Sequence, residues 1–474
     1  MRIILSTVLV VMALLGSSLR ADDLQRLNVL FIAVDDLNHW VGHLGRNPQT
    51  QTPNLDRLAR MGVTFSNAHC AAPICNPSRT ALLSGLRPST SGIYDNTHPF
   101  EQVVTSEQSL VTQFRKAGYE TLGMGKLWHG GLGFPDQWTG TGGKERGEQA
   151  KVDDRSIDGI AFGIMEGDDR GVPDTAIADY GIEQLQKAHE KPFFLTVGFH
   201  KPHMPWNVPR KYYDLHPLDS IQLPTTLEND LSDIPAAGQK MAKAFGDHAK
   251  VLESGRWKEA VQAYLAAISY LDGQVGRVLD ALEASPHRNN TIICLWGDHG
   301  WHLGEKEHWR KFALWEEATR APMIWVAPHI SQPGGVCSAP VDFMSIYPTL
   351  CDLAHIPIPT HVEGTSLRPL LASPKSTWDL VAVTTYGKGN HAVRDAHWRY
   401  IRYADGSEEL YDHNADPYEW KNLAADPVHS DVKRRLATHF PAVNVEPAET
   451  RRQQDGAKEK GNKRANKGKK KAED

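Results

Sequence analysis

Apolar runs that stop abruptly on charged or imidazole side chains constrain this chain more than any other feature. Asn28–Val34 continues from its asparagine as Val-Leu-Phe-Ile-Ala-Val, with no polar residue to face water, and closes on Asp35-Asp36. Such a run suits a strand covered on both faces. The pattern recurs: 119–124 leads into Gly125-Lys126-Leu127-Trp128-His129, 193–199 into His200-Lys201-Pro202-His203, and 291–296 into Gly297-Asp298-His299-Gly300, while 322–327 reads as a further strand. Helical patterns lie between them, at 106–117, 174–189 and 345–354, with the clearest periodicity in Tyr264, Ile268, Leu271, Val275, Leu279 and Leu282. This alternation predicts an α/β fold with one large, mainly parallel sheet covered by helices on both faces. In such sheets the carboxyl ends of strands face the ligand crevice, so Asp35, Asp36, Lys126, His129, His200, Asp298 and His299 are expected at one edge.

Cys75 precedes Pro77 at what reads as a helix start, and Gly85 closes the segment. A helix N-terminus favours an anion and lowers a thiol pKa. Three acids on two strand ends suit Ca²⁺, with Mg²⁺ second, because both take oxygen ligands. An Asp pair after a strand also serves as a turn cap, and zinc through His299 and Cys75 is the rival metal, although Cys70-x4-Cys75 lacks a second ligand pair at zinc spacing. Arg79, Lys126, Lys311 and a metal together would make a cationic pocket for a sulfate or phosphate ester.

Cys75-x-Pro77-Ser78-Arg79-x-x-x-Leu83-Ser84-Gly85 resembles the signature of the type I sulfatases, members of the alkaline-phosphatase-like superfamily whose cysteine is oxidised to formylglycine. The resemblance spans nearly the whole chain through Asp35-Asp36, Gly125-Lys126, Gly297-Asp298-His299-Gly300, Lys311, Glu363-Gly364, Leu410-Tyr411-Asp412 and Asp416-Pro417. Lys126-Leu127-Trp128-His129, Gly198 through His203, and Gly300-Trp301-His302-Leu303-Gly304-Glu305 are similar to the iduronate-2-sulfatase branch. In that branch a histidine stands at His299 where many sulfatases have asparagine, and the Lys126 to His129 spacing is three rather than two.

The resemblance implies hydrolysis of sulfate esters, on 2-O-sulfated uronic acid residues of a polysaccharide or glycosaminoglycan. A hydroxyl of hydrated formylglycine at 75 attacks sulfur and gives a covalent sulfoenzyme; Asp35, Asp36, Asp298 and His299 hold Ca²⁺ against that hydroxyl and the sulfate oxygens, so that modified Cys75 is itself a metal ligand. Asp298 is the implied base, Arg79 supports residue 75, and Lys126 and Lys311 bind sulfate oxygens. His200 with Lys311 protonates the leaving alcohol, and His129 helps expel sulfate. His203, Trp301 and His302 are expected substrate contacts, or else an aromatic lid without sugar contact. A formylglycine-generating enzyme is the implied maturation partner. A phosphatase, phosphodiesterase or phosphonate hydrolase is the nearest alternative, and a polyanion-binding protein with an unmodified cysteine the non-enzymatic one.

The remaining segments set the organisation. Residues 1–21, with Arg2 before an apolar run too short to favour a membrane span, read as a secretory signal, so export to the periplasm or medium is expected. Residues 22–375 form the expected catalytic α/β domain, with 369–376 as a candidate linker. Residues 376–445 form a smaller antiparallel α+β unit, since Asp405-Gly406 between alternating runs reads as a hairpin turn. Residues 446–474 are an expected disordered basic tail: 451–474 carry ten Lys and Arg against four Asp and Glu, within a chain of formal charge −5. The tail is a candidate polyanion contact; no nucleic-acid partner and no stable membrane insertion are expected. Five cysteines are too few and too irregular for a disulfide framework.

Overall fold

Alternate side chains of Asn28–Val34 enter opposite apolar clusters, as a two-residue period requires. Leu30, Ile32 and Val34 pack with Leu55 and Leu58 of the Pro53–Met61 helix and with the Trp257–Ala284 helix. Val29, Phe31 and Ala33 pack with Leu82 and Leu83 of Cys75–Ser84, Phe114 of Leu110–Lys116 and Leu350 of Ile346–Leu353. The strand is thus the middle of three layers, buried on both faces. The Trp257–Ala284 helix gives its layer the longest span, about 42 Å at 1.5 Å per residue.

The computed structural model describes residues 26–450. The expected signal at 1–21 and residues 451–474 of the expected tail lie outside them. The central sheet has eight strands in the order Gly335–Cys337, Val63–Phe65, Met323–Val326, Thr291–Gly297, Asn28–Val34, Phe193–Phe199, Glu120–Gly125 and Gly140–Thr141. Thr291–Gly297, Asn28–Val34, Phe193–Phe199 and Glu120–Gly125 are adjacent and parallel. Met323–Val326 runs antiparallel to both neighbours. The mainly parallel sheet expected from the sequence is present, and the four strand ends with polar chemistry share one edge.

A second, antiparallel sheet comprises Ala382–Thr385, His391–Arg394, Trp398–Arg402 and Glu408–Asp412. Its Ile401, Tyr403 and Tyr411 pack with Leu314 and Trp315. Polar contacts reinforce the seam: Trp315 Nε1 donates to Glu409 Oε2 at 2.7 Å, and buried Arg399 pairs with Glu316 and with Glu419.

Three local expectations change. The aperiodic 136–173 segment contributes Val152–Asp154 and Phe162–Met165 to a three-stranded sheet with Trp206–Pro209, strands too short for a periodicity signal. The 106–117 helix is interrupted at Ser109 between a Ser106–Gln108 3₁₀ turn and Leu110–Lys116. The candidate linker starts inside the Arg368–Ala372 helix, whose Leu370 and Leu371 are buried in the core. All five cysteines are free and buried, and no described helix is long and apolar enough to cross a membrane.

Glu305 gives the fold a pH dependence. Its Oε2 accepts from Leu303 N at 2.7 Å, but burial, then the neighbouring Glu317, push its carboxyl up to about 8. The folded chain therefore retains a proton that the unfolded chain releases near pH 4.5, and the associated stability declines as pH rises from 4.5 to 8. Glu305→Gln should gain thermal stability over the parent progressively across that interval. A difference in Tm that does not change with pH would contradict the assignment.

Candidate active site

Arg79 joins the elements of the site. It lies one turn after Cys75 on the Cys75–Ser84 helix, which ends at Gly85 with a left-handed φ of 76°. The fully buried guanidinium donates from Nε to Asp298 Oδ2 at 2.8 Å, from Nη2 to Asp35 Oδ1 at 3.2 Å, and from Nη1 to the carbonyls of Lys126 and Leu127 at 2.6 and 3.0 Å. One side chain thus ties three strand ends to the Cys75 helix. Its planar fork suits this task, as a single ammonium would not.

Around it, Lys311 Nζ lies 3.0 Å from Cys75 Sγ and 2.6 Å from Asp36 Oδ1. Lys126 Nζ reaches Asp35 Oδ2 at 2.5 Å. His299 Nε2 is 3.3 Å from Cys75 Sγ and 3.4 Å from both Asp36 Oδ1 and Asp298 Oδ1. Asp36 adopts the left-handed region at φ 61°, a conformation that costs a non-glycine residue about 1–3 kcal/mol and survives only where its surroundings enforce it. Here its N donates to Asp298 Oδ1 at 3.0 Å, while Tyr264 OH donates to its carbonyl at 2.8 Å. The carboxylate faces Cys75, with Oδ1 3.9 Å from Sγ.

Electrostatics follow from these pairings. Burial alone would raise the Asp35 carboxyl, but Lys126 and Arg79 outweigh it and hold the group well below the usual carboxylate range. Asp36 is lowered against burial by His203 and Lys311. Lys311 is raised because Asp36 overcomes its desolvation. Burial, followed by Lys126, pushes His129 down to about 4, leaving a neutral imidazole. The expectation of an acidified Cys75 thiol is reversed: burial, with Asp35 adding to it, pushes the thiol up, and Lys311 and Lys126 do not compensate.

The donor set fits a hard divalent cation. Asp35, Asp298, His299 and Cys75 present ligand atoms within 4.8 Å of one another. Asp36 Oδ2 is a buried carboxylate oxygen without a hydrogen-bond partner. The carboxylates outnumber soft donors, which favours an oxygen-seeking ion over zinc.

The structure brings together Asp35, Asp36, Cys75, Arg79, Lys126, Asp298, His299 and Lys311. His203 Nε2 lies 3.7 Å from Asp36 Oδ2 at the rim. His129 lines a cavity of about 740 Å³ with Asn76, Asn96 and His98. His200 is half-buried and bonded to Glu145. Trp301 and His302 do not reach the surface. Trp301 is 1% exposed and stacks on Tyr264, with Lys311 Nζ 5.6 Å above its ring, so it forms the floor under the lysine. His302 is fully buried, with Nδ1 3.0 Å from the Glu305 carbonyl and its ring against His308 and Trp315. Neither side chain lines an open rim: Trp301 packs under Lys311, and His302 is turned into the His308 and Trp315 cluster.

Sequence reasoning missed Tyr264, which reads as one apolar position of a periodic helix, and Asp174, which reads as a helix start. Asp174 accepts from the backbone N–H of His200 and Lys201 at 3.1 and 2.7 Å. An acid opening a helix between two strands was the only available signal.

At the carboxyl edge of the α/β sheet, Arg79, Lys126 and Lys311 pair with three buried carboxylates, and a divalent cation on the same carboxylates would leave the site positive, as an oxyanion ester requires. A family profile described as Sulfatase matches residues 27–356, and one described as N-sulphoglucosamine sulphohydrolase, C-terminal, matches 304–446. A Formosa agariphila sulfatase is 42% identical over 453 residues, covering 89% of this chain and 88% of its own. Human iduronate 2-sulfatase is 30% identical, with 73% and 72% covered. A Bacteroides thetaiotaomicron Δ4,5-hexuronate-2-O-sulfatase is also 30% identical, with 90% of each covered. The fold extends to the phosphonate monoester hydrolase of Agrobacterium radiobacter, with TM-score 0.73, 20% identity, and 87% and 94% covered. The chain belongs to the sulfatase family and is a type I sulfatase, a sulfuric ester hydrolase of the alkaline-phosphatase-like superfamily.

Proposed function

We infer that this sulfatase removes 2-O-sulfate from uronic acid residues of a sulfated polysaccharide or glycosaminoglycan, after export and after oxidation of Cys75 to formylglycine by a maturation enzyme. The observation that carries the chemistry is Cys75 Sγ at a buried helix N-terminus, 3.0 Å from Lys311 Nζ and 3.3 Å from His299 Nε2. The substrate reading is supported by the names of the human and Bacteroides relatives, both of which act on 2-O-sulfated uronates.

Hydrated formylglycine supplies one hydroxyl to attack sulfur and a second whose deprotonation releases sulfate. Asp35, Asp36, Asp298 and His299 would hold Ca²⁺, or less readily Mg²⁺, which supplies positive charge against sulfate oxygens. Lys311 and Lys126 remain cationic throughout the neutral range and can bind the same oxygens. Asp298 takes the proton of the attacking hydroxyl, while Arg79 fixes its carboxylate. His200, together with Lys311, delivers a proton to the leaving alcohol. His129, neutral above about pH 4, can accept a proton during sulfate release.

A panel of sulfated disaccharides tests this reading. The 2-O-sulfated uronates should be cleaved at least ~10²-fold faster than 6-O- or N-sulfated glucosamines, in line with a site built around particular polar contacts. Preference for another sulfated position rejects the substrate, and phosphate or phosphonate release in place of sulfate rejects the reaction. Prolonged chelation should abolish turnover and Ca²⁺ restore it better than Mg²⁺; full activity in the chelated protein would refute the cation site.

A further inference from the structure

We propose that Glu145 is a positioning residue that holds His200 as the proton donor to the leaving alcohol. The proposal deepens the reaction scheme above and rests on its assignment of His200. Glu145 Oε2 lies 2.6 Å from His200 Nε2, and the two side chains are 26% and 39% exposed. Glu145 stands between Lys144 and Arg146, both exposed, yet its carboxylate turns inward to the imidazole.

The segment carrying Glu145 is fixed at both sides. Gly142 N donates to the Gly123 carbonyl at 2.9 Å, and Glu148 N to the Arg170 carbonyl at 2.8 Å. Gly147 lies so close to Gly171 that a Cβ there would sit 2.2 Å from its carbonyl oxygen. The contact with His200 is therefore made from a surface strap tethered on both sides. His200 is fixed from below as well, by the Asp174 carboxylate on its backbone N–H.

A carboxylate on Nε2 leaves Nδ1 as the ring atom free for the substrate. Nε2–H is committed to Glu145, and no hydrogen bond to Nδ1 is formed among the described residues. As the S–O bond to the sugar breaks, its electron pair stays on the ester oxygen, which takes the Nδ1 proton; sulfur keeps the new bond to the attacking oxygen. The ring is left neutral and regains its proton from water. An alcohol needs that proton far more than an acidic phenol does.

Glu145→Gln and Glu145→Asp should be compared with the parent on aryl sulfates of rising phenol pKa and on a 2-O-sulfated uronate disaccharide. For the Gln variant, the loss in kcat should grow along the series and reach ~30-fold or more relative to the 4-nitrophenyl ester, with KM changing less; Asp should recover part of it. Imidazole NMR reads the contact without turnover: a low-field Nε2 proton in the parent, absent from Glu145→Gln. A loss that is uniform across the series, no loss at all, or an unchanged Nε2 resonance overturns the proposal. Failure of the parent on the disaccharide alone counts against the substrate reading, because the aryl series still measures Glu145.

Discussion

Cys75→Ala is expected to lower sulfate ester turnover by ~10³-fold or more while leaving the fold in place. The thiol makes contacts that alanine loses, to Lys311 at 3.0 Å and His299 at 3.3 Å. Those partners keep others: Lys311 retains Asp36, and His299 retains the Gly300 carbonyl on Nδ1 at 3.0 Å. The cost to stability should therefore stay near ~1 kcal/mol, the usual range for a single substitution that leaves no buried charge unpaired. The same argument makes the unmodified cysteine a poor nucleophile. Burial pushes its thiol up, so the thiolate is scarce at neutral pH. Active protein should accordingly carry an aldehyde at this position, detectable as a peptide lighter by ~18 Da across residue 75. Retained activity in the alanine variant, or an active preparation with only free thiol, would sink the proposal.

The strand ends were legible because their chemistry is local in sequence. A buried strand must be apolar, its carboxyl end must open on the crevice, and Asp35, Lys126, His200 and Asp298 each follow directly from such a run. Cys75 was legible for a related reason, since Pro77 and Gly85 bracket its helix. The sign of its pKa was not: the helix terminus is local, whereas the burial and the Asp35 charge that dominate come from elsewhere. Trp301 and His302 show the same limit. Adjacency to Asp298 and His299 in sequence suggested a rim, but the chain turns inward there and Trp301 meets Tyr264 of the preceding Trp257–Ala284 helix, a contact that no spacing within the motif shows. Glu145 lay in an aperiodic segment whose path is set by backbone contacts to Gly123 and Arg170. No spacing rule links it to His200.

Arg79→Leu is expected to damage both fold and activity, because the guanidinium pairs with two buried carboxylates at once. Asp35 and Asp298 are 1% and 0% exposed, and Arg79 bonds to both. Removing one partner of a buried ionic group leaves unpaired charge, at a cost of ~3–5 kcal/mol. Lys126 still reaches Asp35, but among the described residues Asp298 has no second Arg or Lys in ion-pair contact. The carbonyls of Lys126 and Leu127 lose their Arg79 donor too, which frees the Glu120–Gly125 strand end from the Cys75 helix. Arg79→Lys keeps the charge but cannot reach Asp298, Asp35 and both carbonyls together, so it should recover part of the stability and little of the turnover. Urea unfolding followed alongside sulfate release separates these outcomes. An Arg79→Leu protein with the parent's unfolding midpoint would mean that the carboxylates are neutralised by something other than Arg79.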